Sequence, residues 1–196
     1  MIFKNFLPLI LFLSLLGCSN TLFADGKSDI KSMMKHSIHG ITTLIQDDTI
    51  SQTSKHQQIE AIITPIFDFS LMGRLSLGKR QWKKITPSER KYFIELFTQR
   101  IRQSYMSKLD LYTDEVVVID EPVVVKKRIH LPTHLMRKNE QRDVLYKFYK
   151  SKKRGWLIYD VDILGVSIVQ TYRTQFASIL KDKDFDTLIE KLKISV

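Results

Sequence analysis

Glu115-Val116-Val117-Val118-Ile119-Asp120-Glu121-Pro122-Val123-Val124-Val125 is the stretch on which the fold class turns. Two β-branched runs flank Asp120-Glu121-Pro122, an acidic, proline-ended break that reads as a turn. Further on, Val144, Tyr146 and Phe148 alternate with Leu145, Lys147 and Tyr149, so a strand is expected over 143–150. Lys152 to Gly155 reads as a turn and 156–163 as a fourth strand. Connections of hairpin length imply an antiparallel sheet of about four strands.

Outward from the sheet, both flanks carry helical periodicity. Ile30, Met33, Met34, Ile38, Ile41, Leu44 and Ile45 predict a first helix over 29–47. Ser51 or Thr53 caps a second that runs to Ile63. After Pro65, a short helix is expected over 67–77, ended by Gly78. Thr86-Pro87-Ser88-Glu89 is the sharpest boundary, a capping box with proline at the first helical position. The helix it opens should reach about residue 111, with Phe93, Phe97, Ile101, Tyr105 and Leu109 on one side. Val166, Val169, Tyr172, Phe176 and Ile179 mark a helix after the sheet, and 184–192 a last short one. The class is therefore α+β, with helices packed on one face of the sheet.

The N-terminus reads as a secretion signal. One cation, Lys4, precedes an apolar run from Leu7 to Leu16, too short for a membrane span of ~20 residues but suited to a signal peptide. Leu15-Leu16-Gly17-Cys18 resembles a lipoprotein processing site with Cys18 as the lipidated residue, and Leu22-Phe23-Ala24 offers cleavage that frees 25–196. A retained anchor is a third option. The expected organisation is thus a signal peptide over 1–24 and a single domain over 25–196. Cys18 is the only cysteine, so that domain holds no disulfide or thiolate metal site. The formal net charge of +10 favours anionic partners, and secretion argues against nucleic acid. Lys126-Lys127-Arg128 and Lys152-Lys153-Arg154 are two of several separate basic clusters, which equally suit a solubilising surface.

Signals for catalysis are thin. Gly73 to Lys79 fits most of a phosphate-binding loop, but Arg80 stands where serine or threonine would hold magnesium, and the segment falls in a helix. Ser167 after Gly165 lacks a nucleophile elbow's flanks. His36 and His39, like His130 and His134, form pairs with no third ligand, and His56 stands apart. Asp160 and Asp162 share one side of a strand, which acid–base chemistry could exploit, but a solvent-facing edge between apolar Leu157, Tyr159, Val161 and Ile163 explains them with less. No catalytic residue, metal or cofactor is expected.

An ordered series of motifs carries a family resemblance: Phe67-Asp68-Phe69, Met72, Arg74, Leu77-Gly78 and Trp82, then Thr86-Pro87 with Arg90, Phe93, Phe97 and Tyr105. Gly155-Trp156, Tyr159-Asp160-Val161, Gly165-Val166-Ser167, Tyr172-Arg173 and Gln175-Phe176 follow. In these the chain resembles the periplasmic phospholipid-binding proteins of the Mla lipid-transport pathway, the toluene-tolerance auxiliary family of an ABC transporter. The resemblance spans essentially the whole mature chain. It implies a non-enzymatic carrier whose curved antiparallel sheet and helices enclose an apolar pocket for phospholipid tails. It further implies exchange of lipid between an outer-membrane lipoprotein–porin complex and an inner-membrane ABC transporter complex, in the service of outer-membrane lipid asymmetry. Members of this family are soluble shuttles, so a lipidated Cys18 would tether this one.

The pocket residues expected on this basis are Phe69, Met72, Leu75 and Trp82; Phe93, Phe97, Ile101 and Tyr105; Val125, Phe148 and Trp156; and Val166, Val169 and Tyr172. Ordinary core packing accounts for the same residues, because any α+β domain needs them. A small secreted hydrolase or isomerase, with Asp160, Asp162 or a histidine inside the cavity, is one alternative. An envelope interaction module without a ligand is the other.

Overall fold

The computed structural model describes residues 18–109, 115–138 and 140–194. Most of the expected signal segment, 1–17, lies outside the described residues, as does the side chain of Cys18. The fold is α+β. Among the described residues seven helices pack around one antiparallel sheet, in which β1 (Val116–Ile119), β3 (Arg128–Arg137), β4 (Glu140–Ser151), β5 (Gly155–Ile163) and β6 (Val166–Ser167) follow in that order and β2 (Val123–Val125) also pairs with β3.

Helix α1 spans Cys18–Gln46, beginning N-terminal to the expected start and placing Ile30 and Met34 in the core. Helix α2 spans Gln52–Ile63, and its cap is Ser51, whose Oγ accepts from Ser54 N at 3.3 Å. Lys55 Nζ donates to Ile45 O at 2.8 Å, so a buried lysine ties α2 to the end of α1. Helix α3, Phe69–Leu77, starts on Asp68, whose carboxylate accepts from Leu71 N at 2.8 Å. It ends on Gly78, where φ of 80° needs a residue without Cβ. The phosphate-loop look-alike therefore begins inside a helix. A short helix, α4 (Lys79–Lys84), follows where periodicity showed nothing.

Helix α5, Pro87–Leu109, opens on the expected capping box. Glu89 N donates to Thr86 Oγ1 at 3.2 Å and Thr86 N donates to Glu89 Oε2 at 2.6 Å, satisfying two helix-end amides reciprocally. Its expected extension to residue 111 lies outside the described residues.

The sheet departs from expectation in its connectivity. Strands β1 (Val116–Ile119) and β2 (Val123–Val125) do not pair with each other. Both line up along β3 (Arg128–Arg137), a strand that the sequence reading lacked, with Val118 opposite His134 and Val124 opposite Ile129. Pro132 in the middle of β3 disguised it. Its carbonyl accepts from Asp120 N at 3.1 Å, just where β1 has ended and β2 has not begun. The missing proline N–H thus faces Asp120, just past the end of β1, and not β4, so at most one terminal bond of the broken edge is forgone. Strand β4 (Glu140–Ser151) pairs with β3 and with β5 (Gly155–Ile163), and a bulge falls between Lys147 and Phe148. The two-residue β6, Val166–Ser167, leads into α6 (Ile168–Asp182), which Ser167 caps through Gln170 N at 3.0 Å. Helix α7, Phe185–Ile194, packs on α5 and α6.

Phe93 and Phe97 of α5 stack at 6.0 Å and meet Phe176 of α6 edge-on at 5.7 and 6.3 Å. This aromatic cluster welds the helices together beside the sheet. Gly73 lets α3 approach α5: a Cβ there would stand 2.5 Å from Ile94 Cδ1 and 3.0 Å from Phe97 Cδ1.

Candidate functional site

Strand alternation sends Val117, Leu135, Val144, Tyr146, Val161 and Ile163 to one face of the sheet. They form the floor of a cavity of about 350 Å³, within the usual ~300–1,000 Å³ of small-molecule sites. Helix α1 roofs it with Ile38, Ile41 and Ile45, which recur at helical spacing. Phe69 and Met72 of α3, Ile101 and Tyr105 of α5, Ile168 of α6 and the Ile63–Phe67 segment close the walls.

Polar groups on the lining are few. Ser37, Thr42, Gln46, Arg102 and Glu115 are among them. Arg102 is held by an ion pair with Glu60, by Thr64 Oγ1 at 2.9 Å, and by the Phe69 ring 5.5 Å from its guanidinium carbon. Burial, then the neighbouring Tyr172, raise the Tyr105 phenol above its ordinary pKa and keep it neutral. The walls can exclude water from hydrocarbon, and no histidine lines them among the described residues.

The alternating residues carry the charge to the other face. Lys147 Nζ lies 2.9 Å from Asp160 Oδ2 and 2.6 Å from Asp162 Oδ1. Burial works against the Lys147 ammonium, but its bonds to Asp162 and Asp160 outweigh it and leave the pKa raised. Burial, then Lys147, lower that of His130. His134 sits between Asp143 at 2.7 Å and Asp120 at 3.0 Å. His36 and His39 are exposed on α1. No group of three or more metal-ligating side chains converges among the described residues.

The profile of the MlaC protein family matches residues 30–194. The chain belongs to the MlaC family. It is 23% identical over 182 residues to the intermembrane phospholipid transport system binding protein MlaC of Haemophilus influenzae, covering 90% of this chain and 78% of that protein. Its fold is similar to that of a phospholipid-binding protein from Ralstonia solanacearum solved with a phospholipid bound. There the TM-score is 0.74 at 21% identity, over 84% of this chain and 94% of that one.

Within this MlaC-family fold, the expected pocket residues separate into three groups. Phe69, Met72, Ile101 and Tyr105 line the cavity. Phe93, Phe97, Phe148, Trp156 and Val169 are buried in the core beside it, with Leu75 and Tyr172 packed against that core. Trp82 lies outside the cavity, under the Arg90 guanidinium at 5.3 Å. Val125 and Val166 are 39% and 60% exposed and do not line the cavity: one adjoins a sheet turn and the other precedes α6. The α1 residues of the roof and the six sheet residues of the floor were not among those expected. Their periodicities were legible, but which face of each meets empty space depends on curvature and packing that periodicity does not encode.

Proposed function

We propose that this MlaC-family protein is a periplasmic phospholipid carrier that holds the acyl tails of its cargo between α1, α3, α5 and the sheet. The carrying observation is the apolar cavity, which lies in a chain matched to the family over 30–194. Each methylene removed from water contributes ~0.8 kcal/mol, so a lined apolar cavity is what a diacyl cargo needs. Polar contacts at the mouth need only orient the head group. The named relatives, a phospholipid transport binding protein and a phospholipid complex, support this cargo.

In this reading the chain is a carrier and not a catalyst: Asp160 and Asp162 turn away from the cavity and are spent on Lys147. It needs no cofactor. Secretion releases a single domain over 25–196, free after cleavage at Ala24 or tethered through a lipidated Cys18. Lipid then passes between an outer-membrane lipoprotein–porin complex and an inner-membrane ABC transporter complex, supporting outer-membrane lipid asymmetry.

The test is native mass spectrometry of the purified protein, with solvent extraction and lipid identification on the same sample. A phospholipid at near-equal stoichiometry is expected. Protein that arrives empty and takes no phospholipid from vesicles overturns the carrier reading.

A further inference from the structure

Two basic clusters separated in sequence meet at one end of the sheet. The turn at Lys126-Lys127 joins β2 to β3, and the turn at Lys152–Arg154 joins β4 to β5. Antiparallel pairing of β3 with β4, in which Ile129 faces Phe148, sets these turns side by side. Two of the arginines are spent on structure. Arg128 lies over the Tyr149 and Tyr159 rings at 5.2 and 4.6 Å, and Arg154 Nη2 donates to Pro65 O at 3.0 Å. The lysines are not: Lys126, Lys127, Lys152 and Lys153 are exposed, and among the described residues no carboxylate pairs with them.

Apolar surface accompanies the charge. Val123, Val124 and Val125, leading into the first turn, are 50%, 38% and 39% exposed. Like charges on adjoining turns repel one another, so the cluster has a cost that solubility alone does not require. Lysines exposed on turns are hydrated point charges suited to a diffuse anionic surface more than to a shaped acidic partner. The neighbouring valines offer shallow apolar contact at the same level.

We infer that this end of the sheet docks on the surface of a bilayer containing anionic phospholipid. Lysines 126, 127, 152 and 153 supply the attraction, and the exposed valines of β2 settle at the head-group level. Leu135, Val144 and Ile163, which floor the cavity, lie toward the other ends of the same strands. Docking therefore leaves that end of the cavity turned away from the bilayer. The inference stands apart from the carrier reading, since it rests on neither the cavity nor its contents.

The experiment is co-sedimentation of the full protein with phosphatidylglycerol–phosphatidylcholine vesicles and with pure phosphatidylcholine vesicles, at low and physiological salt. Binding to the mixed vesicles alone, weakening as salt rises, is expected. The triple variant Lys127→Glu, Lys152→Glu, Lys153→Glu should bind more than about tenfold more weakly, as each basic residue contributes substantially near an anionic surface. A control of equal charge change on the helices, Lys79→Glu, Lys83→Glu, Lys181→Glu, should keep most of the binding. Circular dichroism checks that both variants fold, and extraction checks their lipid content separately. Equal loss in the two variants reduces the effect to net charge and overturns the inference. So does failure of the wild-type protein to bind anionic vesicles, whether or not it carries phospholipid.

Discussion

Asp160 Oδ2 accepts a hydrogen bond from Ser167 Oγ at 2.7 Å, so one carboxylate joins a cavity-floor strand to the cap of the helix that follows it. The same side chain accepts from Val169 N at 3.1 Å and from Lys147 Nζ at 2.9 Å. A residue whose position in β5 suggested acid–base chemistry is thereby committed to fixing α6 against the sheet. Ile168, at the start of α6, lines the cavity, so the carboxylate positions part of its wall.

Asp160→Ala should therefore cost about 3 kcal/mol, because breaking a largely buried ion pair leaves Lys147 undercompensated and the Val169 amide of α6 unpaired. Asp160→Asn retains an acceptor for Val169 N and should cost less. Urea denaturation of the two variants measures this. Wild-type stability in Asp160→Ala is the result that contradicts the assigned role.

The cavity assignment separates two tryptophan substitutions. Ile41→Trp, on the α1 roof, should leave a folded protein with much less co-purified phospholipid. Val125→Trp, on the exposed end of β2, should leave lipid content unchanged. Extraction and lipid quantification against protein concentration read both, and similar lipid content in the two would place the cargo elsewhere.

Gly73→Val should destabilise the protein by about 2 kcal/mol through overpacking. The new branches meet the Phe97 ring, which lies in the aromatic cluster and has little room to move. Truncating Ile94 to alanine in the same chain should recover part of the loss. Thermal melts of the single and double variants give the coupling.

His134 makes stability depend on pH. Its bonds to Asp143 and then Asp120 raise its pKa above the ordinary imidazole value of 6.5. That stabilisation is complete below 6.5 and disappears as pH rises through the raised folded value. Asp143 runs the other way: Gln141 and then His134 hold it below the ordinary 3.8, and its contribution is lost as pH falls through the lowered value. The lowered pKa of His130 pulls stability the other way over the same range, so the readout is a difference: the melting-temperature advantage of wild type over His134→Gln should shrink as pH rises above 6.5. An NMR titration of the ring protons checks the direction independently.

How much of this was written in the sequence differs from element to element. Ser51, the Thr86–Glu89 box and Gly78 announced helix ends because capping involves neighbours within three or four residues. Strands β4 and β5 were legible from their alternation. β3 was hidden by Pro132, which is tolerated because its nitrogen faces the end of β1 in a broken edge and not the continuous partner β4. The apparent hairpin at Asp120–Pro122 was in truth one broken edge, since register is set by which partner each strand finds. Family membership, too, was readable from an ordered set of local motifs. Sequence alone thus determined the α+β class, the capped helix ends at Ser51, Gly78 and Thr86, and the apolar stock from which a cavity is built. Only tertiary structure decided that Phe93 and Phe97 fill the core while Ile41 and Val144 face space, and that two distant lysine pairs share one end of the sheet. Local propensity acts over a turn or a strand, whereas cavity walls and surface charge are set by packing among segments far apart in the chain.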